Sequence, residues 1–373
     1  MLQGIKNKLI DITPNWLIWF FANNYVGSYK KDDLEGAIDN AMFGMHMLSV
    51  MGFPATWDIL GESTATEDEA DAAADDYKTL ITRIADSDLK PEYKPTVSVK
   101  LSALVPAVLR KPGEKDYGRL DYAVQNGDAM LEDNLENILK HAKSKGVQVT
   151  IDMEHFPWAQ KTIEIHNKMK LKDYDICVAF PSRIKEKHTD QLIASLPKGS
   201  TIRVVKSVQI EPEELAYTHD EDIKEKMFQD TVKLLGLGHN VQLATHDDTL
   251  RRRVVKYIVD NNIDQERIKF QVLWGVGHYE DTHNGEYLLD NYGNKTHRFD
   301  TYNKLKDGAY YGGFGPSNVR FYFPITINME SASRYLKRRG KNNPHMITQA
   351  IMNLMHGLED TNIIKRYLRK IAS

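Results

Sequence analysis

Two adjacent arginines, Arg338 and Arg339, follow Tyr335 in the stretch SRYLKRRG (333–340), just past the apolar run VRFYFPI (319–325). On a helix that spacing puts the ring and a guanidinium on one face. A pair of fixed guanidinium groups grips a carboxylate through parallel hydrogen bonds, and a lysine adds a point charge. Lys100, inside the apolar run TVSVKLSAL (96–104), is the lysine that completes such an anion site. Asp152, inside VQVTIDME (147–154), is placed to hold one of the guanidinium groups. The chemistry these residues support is the binding of a small acid, and residue types alone do not name the reaction.

Other polar residues interrupt apolar runs in the same way. Asp58 and Glu62 lie toward the end of the first such run, Glu154 beside Asp152, and Arg203 and Lys206 in TIRVVKSV (201–208). Thr245, His246 and Asp247 close NVQLATH and follow it, Gln271 lies in IKFQVLWG and Tyr322 in VRFYFPI. Any one of them alone reads as core electrostatics. Their convergence on one place reads as a site, because burying many charges without use is costly.

The elements that position them alternate regularly. Short β-rich runs occur at 54–60, 96–104, 147–154, 175–180, 201–208, 240–246, 268–275 and 319–325, separated by amphipathic stretches such as 67–88, 121–145 and 221–236. Near-continuous Val and Ile runs between helices mark parallel strands covered on both faces. Eight units predict an α/β chain folded as a (β/α)8 TIM-like barrel with an N-terminal helical extension, whose chemistry gathers at the C-terminal strand ends. The helical pattern at 33–50 makes 1–52 an N-terminal helical arm and 53–373 the barrel. The polar, aromatic, glycine-dotted connection 278–312 is expected to lie over the barrel mouth as a lid.

Composition sets the outer bounds. The chain has 373 residues and a formal net charge of -3, and its pI near 6.5 argues against a nucleic-acid partner. A single cysteine, Cys177, cannot form an internal disulfide, which fits a reducing, cytoplasmic setting. No small-residue cleavage site follows a charged start and apolar run, so a secretory signal is not expected. The stretch NWLIWFFANNYVG (15–27) is too short to span a bilayer and is expected to pack on the core, on a second subunit in a homo-oligomer, or on a membrane surface.

Cofactor signals from the residues alone are weak. GVG (275–277) lacks the third glycine of a dinucleotide fingerprint. The pairs His278/His283 and Glu154/His246 lack metal-site spacing, so no metal is expected. Lys100 or Lys206 would serve a Schiff-base aldolase or lyase if held neutral, which the neighbouring charges oppose. A third reading is a non-catalytic amino-acid-binding barrel that keeps the anion site.

In order along the chain, TWDILGE, VSVKLSAL, IDMEH, IRVVK, ATHD, FQVLWGV and YLKRR resemble the proline dehydrogenase family, flavin-dependent barrels of proline catabolism. The resemblance runs from about residue 20 to about 345. It implies that Arg338, Arg339 and Lys100 clamp the substrate carboxylate, with Asp152 pairing with the clamp and Glu62 with Lys100. Tyr335 and Tyr322 would pack beside the substrate ring, with Leu273 as apolar contact. The positions matching the FAD contacts are Val178, Ala179, Arg203, Lys206, Ser207, Val208, Thr245, His246 and Gln271, with Arg203 stabilising the reduced flavin. The implied reaction is oxidation of L-proline to 1-pyrroline-5-carboxylate, the first step of proline catabolism. Hydride would pass from Cδ to flavin N5 and electrons on to a quinone, with a peripheral contact at the inner face of the membrane. Hydroxyproline or another cyclic or secondary amino acid is the other substrate reading.

Several positions depart from the family pattern. A glycine-alanine-tyrosine run after the fifth-strand lysine reads Ser207, Val208, Gln209. Ala179 replaces a glutamine, Asn342 a glutamate, and the 278–312 connection is longer. The carboxylate clamp is intact, while the surroundings of flavin and ring are changed.

Overall fold

The computed structural model describes residues 34–50, 52–60, 64–106, 128–154, 156–207, 211–273, 282–283, 286–287, 318–326 and Lys337. Eight parallel strands close a barrel: β1 (Ala55–Ile59), β2 (Thr96–Val99), β3 (Val149–Ile151), β4 (Ile176–Pro181), β5 (Thr201–Val205), β6 (Asn240–Ala244), β7 (Ile268–Leu273) and β8 (Val319–Ile325). Each strand pairs with its neighbours in sequence, and β8 returns to β1. Helix α1 (Leu34–Val50) precedes β1. The connecting helices are α2 (Glu67–Ala85), α3 (Asp128–Lys145), α4 (Phe156–Leu171), α5 (Glu186–Ser195), α6 (Asp220–Gly236) and α7 (Asp248–Asp260). The (β/α)8 expectation is met.

Local sequence explains the element ends. Thr66 caps α2, its hydroxyl accepting from Glu69 N, and acidic residues fill the first turn, where the helix dipole favours them. Asp247 caps α7 by accepting from Leu250 N. β2 stops at Val99 rather than near 104, because Leu101–Ala103 turns back as a short 3-10 helix that buries all three residues.

The register divides the strands into an apolar and a polar face. One face carries Trp57, Val97, Ile151, Val178, Ile202, Leu243, Phe270 and Phe321, all buried. The alternate positions carry Thr56, Asp58, Ser98, Thr150, Arg203, Gln242, Gln271, Arg320 and Tyr322, aligned on neighbouring strands. Hydrogen bonds join these between strands that do not pair: Arg203 Nη1 of β5 donates to Ser98 Oγ of β2 at 3.1 Å, and Arg320 Nη1 of β8 to Thr96 Oγ1 of β2 at 3.0 Å. Such contacts exist only across the lumen, so the barrel is filled by polar side chains and its hydrophobic core is the layer between strands and helices.

Helix α1 belongs to that core layer through Ala37, Ile38, Ala41, Met45 and Leu48. It crosses β8 at Gly44, where an added Cβ would stand 3.1 Å from Phe323 Cζ. Glycine there allows the close approach. No described helix is long and apolar enough to cross a membrane.

Candidate active site

The charged strand ends converge at the C-terminal mouth of the barrel. Lys100, the residue after β2, is 6% exposed and its ammonium forms a direct ion pair with Asp58 of β1, 1% exposed. Asp152 Oδ2, just beyond β3, stands 3.8 Å from Lys100 Nζ, and its Oδ1 stands 3.4 Å from Arg203 Nη1. The Tyr322 hydroxyl donates to Asp152 Oδ2 at 3.1 Å, and the Arg203 guanidinium lies over the Tyr322 ring at 5.2 Å from its centroid. Each contact follows from alternation, which sends residues 58, 98, 100, 152, 203 and 322 to the same side of their strands.

The electrostatics divide the two carboxyl groups. Burial raises the pKa of Asp58, and Asp152 beside it adds to the rise, while Lys100 opposes both. Burial pushes Asp152 up as well, but Lys100, Arg203, the Met153 amide and Tyr322 outweigh it and hold that carboxylate below its ordinary value. Tyr77 of α2 lies beneath Lys100, its hydroxyl accepting from Lys100 N at 3.4 Å. Burial raises the Tyr77 phenol well above its ordinary value, so it stays neutral.

The strand 6 and 7 ends add a polar ledge. His246 Nε2 accepts from Leu273 N at 2.9 Å, which in the neutral ring leaves the proton on Nδ1. Asp247 N donates to Thr245 Oγ1 at 3.1 Å. Gln271 Nε2 donates to Gln242 Oε1 at 2.6 Å, while Gln271 Oε1 is buried without a hydrogen-bond partner among the described residues. Arg203 Nε and Nη2 are likewise buried and unengaged. Two guanidinium donors and an amide acceptor without hydrogen-bond partners among the described residues suit a planar cofactor edge rich in carbonyl and ring nitrogen, so the described residues fit a flavin. Among the described residues no group of three His, Cys, Asp or Glu side chains gathers as a metal site.

The structure thus brings together Lys100, Asp152, Arg203 and Tyr322 at one mouth, with Gln271, Thr245, His246 and Leu273 at the ends of β6 and β7. Among the described residues Lys100 has Asp58 as its direct partner, and Glu62, the partner that the family resemblance implies, lies outside them. Val178 alternates onto the outer face in register with Ile151 and Ile202, whereas Ala179 faces inward beside Arg203. Lys206 forms a half-exposed ion pair with Asp220 at the start of α6. Ser207 takes a left-handed backbone, φ 67°. Val208, Tyr335, Arg338 and Arg339 lie outside the described residues, as does most of the 278–312 connection.

Sequence reading left Ser98 and Tyr77 out of the site and gave Asp58 no role in it. Two signals pointed to the strand residues. Ser98 precedes Lys100 by one alternation step, and Asp58 is the charged residue in the buried strand ATWDI. A buried ammonium on the adjacent strand requires such a partner.

Comparison with known proteins agrees with this geometry. The family model for proline dehydrogenase matches residues 44–179. Proline dehydrogenase 2 of Bacillus subtilis subsp. natto is 26% identical over 276 residues, which cover 74% of this chain and 79% of that protein. The proline dehydrogenase of Deinococcus radiodurans is 25% identical over 262 residues, covering 69% and 76%. Among solved structures, proline utilization A (PutA) from Bdellovibrio bacteriovorus superposes with a TM-score of 0.64 at 20% identity, covering 87% of this chain. PutA of Bradyrhizobium japonicum gives 0.57 at 20% identity over 85% of this chain. The match spans only 33% and 30% of those two longer chains, and it shows the shared fold. The family model and the curated relatives thus make the chain similar to the proline dehydrogenases, and the solved structures share its barrel fold.

Proposed function

We infer that the chain oxidises L-proline to 1-pyrroline-5-carboxylate with FAD as its cofactor. The observation that carries this reading is the mouth cluster of Lys100, Asp152, Arg203 and Tyr322, with Arg203 donors buried and unengaged beside it. When bound, FAD supplies the acceptance of a hydride from the substrate Cδ at its N5. The protein supplies position and charge. Lys100 attracts the substrate carboxylate, joined by Arg338 and Arg339, so that the opposite edge of the ring faces the flavin. Arg203 offers a preorganised cation where negative charge grows. Asp152 holds Arg203 and Tyr322 in place, and the Tyr322 ring packs beside the substrate. With FAD bound, Gln271, Thr245 and His246 would offer it polar contacts, and Ala179, Lys206, Ser207 and Val208 would help to hold it.

Electrons pass from the reduced protein to a quinone, an acceptor that lives in the bilayer. The apolar stretch at 15–27 supports a peripheral contact with the inner face of the membrane by a cytoplasmic enzyme. Turnover of L-proline with a quinone analogue, with the product trapped by an aromatic amine that condenses with cyclic imines, tests the reaction. Formation of the coloured adduct is expected, and its absence with flavin present would remove proline as the substrate.

A further inference from the structure

Lys100 is faced by two carboxylates on unequal terms. Asp58 forms its direct ion pair, whereas Asp152 stands 3.8 Å away. Asp152 has other work: it accepts from the Tyr322 hydroxyl at 3.1 Å and from Met153 N at 3.0 Å, and its Oδ1 stands 3.4 Å from Arg203 Nη1. Among the described residues the cluster thus holds the carboxylates of Asp58 and Asp152 against the cations of Lys100 and Arg203, one nearest carboxylate for each cation. A buried ammonium robbed of its direct partner loses protons more readily. It would also draw Asp152 toward itself and away from Arg203 and Tyr322.

We propose that Asp58 is a positioning residue: the principal counterion of Lys100, which keeps that ammonium charged for the substrate carboxylate and leaves Asp152 to orient Arg203 and Tyr322. The identity of the bound acid rests on the proline-oxidising reading, but the division of labour between the two carboxylates does not.

The test uses the full chain labelled with 13C at the lysine Cε. The Lys100 signal is assigned by its loss in Lys100→Arg and followed over roughly pH 6 to 10, the range in which a perturbed lysine titrates. In the unsubstituted protein Lys100 is expected to stay protonated through most of that range. In Asp58→Asn its midpoint is expected to fall by about one pH unit or more, since a nearby opposite charge is worth that much to a buried amine. In Asp152→Asn the midpoint is expected to fall by less than half as much as in Asp58→Asn. The KM for L-proline in Asp58→Asn should then rise with pH above the lowered midpoint, with kcat changing less, an effect that mere loss of packing would not produce.

An Asp58→Asn titration equal to that of the unsubstituted protein, or a midpoint that falls further in Asp152→Asn, would overturn the proposal. Should Asp58→Asn not fold, Asp152→Asn decides: Lys100 still charged once Asp152 is neutralised supports the assignment, and a midpoint lowered by about one pH unit overturns it. If no variant, nor the unsubstituted protein, oxidises proline, the substrate reading fails while the titration still judges Asp58.

Discussion

The Tyr322 hydroxyl reaches 3.1 Å from Asp152 Oδ2, joining the last strand of the barrel to the end of the third. The same tyrosine offers its ring to Arg203, whose guanidinium carbon lies 5.2 Å from the centroid. One side chain therefore fixes a carboxylate and a cation relative to each other, and that relationship leads to a first prediction. Tyr322→Phe keeps the ring and loses the hydrogen bond to a charged acceptor, so kcat/KM is expected to drop about 10-fold. In an Asp152→Ala background the same substitution should cost less than about 2-fold, because both changes remove one bond. Fully additive losses in that double-mutant cycle would show the hydroxyl acting elsewhere.

Arg203 carries two buried donors that are unengaged among the described residues. Arg203→Ala is expected to slow anaerobic flavin reduction by proline by about 100-fold, the scale of losing one preorganised donor at a site of developing charge. Arg203→Lys should recover part of that loss. Rapid-mixing absorbance reads the rate, and an unaltered rate at full flavin content would remove the role.

The outer helical layer carries an acid-sensitive group. His166 of α4 is fully buried, and burial pushes its pKa down to about 4, with Lys170 and His239 adding repulsion against the hydrogen bond to Asn167. The folded protein therefore binds fewer protons than the unfolded chain between the unperturbed value near 6.5 and about 4. Stability is intact above that window and falls as pH drops through it, by up to about 3 kcal/mol from this group alone. Urea unfolding at several pH values checks the slope, and His166→Gln should flatten it. A variant that loses stability with acid just as steeply would contradict the assignment.

Ser207 follows β5 with φ 67°, a conformation that favours glycine. Ser207→Gly is expected to stabilise the fold by up to about 1 kcal/mol, because it removes the strain of a Cβ in the left-handed region. Thermal unfolding reads the change, and a lower melting temperature would mean that the serine side chain contributes more than the strain costs.

Much of this was readable from sequence, for physical reasons that differ between parts. The eight strands stood out because β-branched runs such as TIRVV and VTI are bounded by long amphipathic helices. Lys100, Asp152 and Arg203 stood out because each is a charge inside an apolar run. The polar lumen did not, because Thr, Ser and Gln between Val and Ile look like ordinary alternation until the closed register turns them inward. The direct ion pair between Asp58 and Lys100 was equally hidden. It depends on Asp58 pairing in register with Ser98 on β2, two residues before Lys100, which no local spacing records. Of the two adjacent fourth-strand positions expected at the cofactor, Val178 and Ala179, alternation turns only Ala179 to the face that carries Arg203.

The most direct test of the central claim is the absorption spectrum of the purified protein before and after anaerobic addition of L-proline. Bands at about 380 and 450 nm, those of oxidised flavin, are expected and should bleach on addition of proline. Bands that persist in saturating proline, or a protein that takes up no FAD on reconstitution, would contradict it.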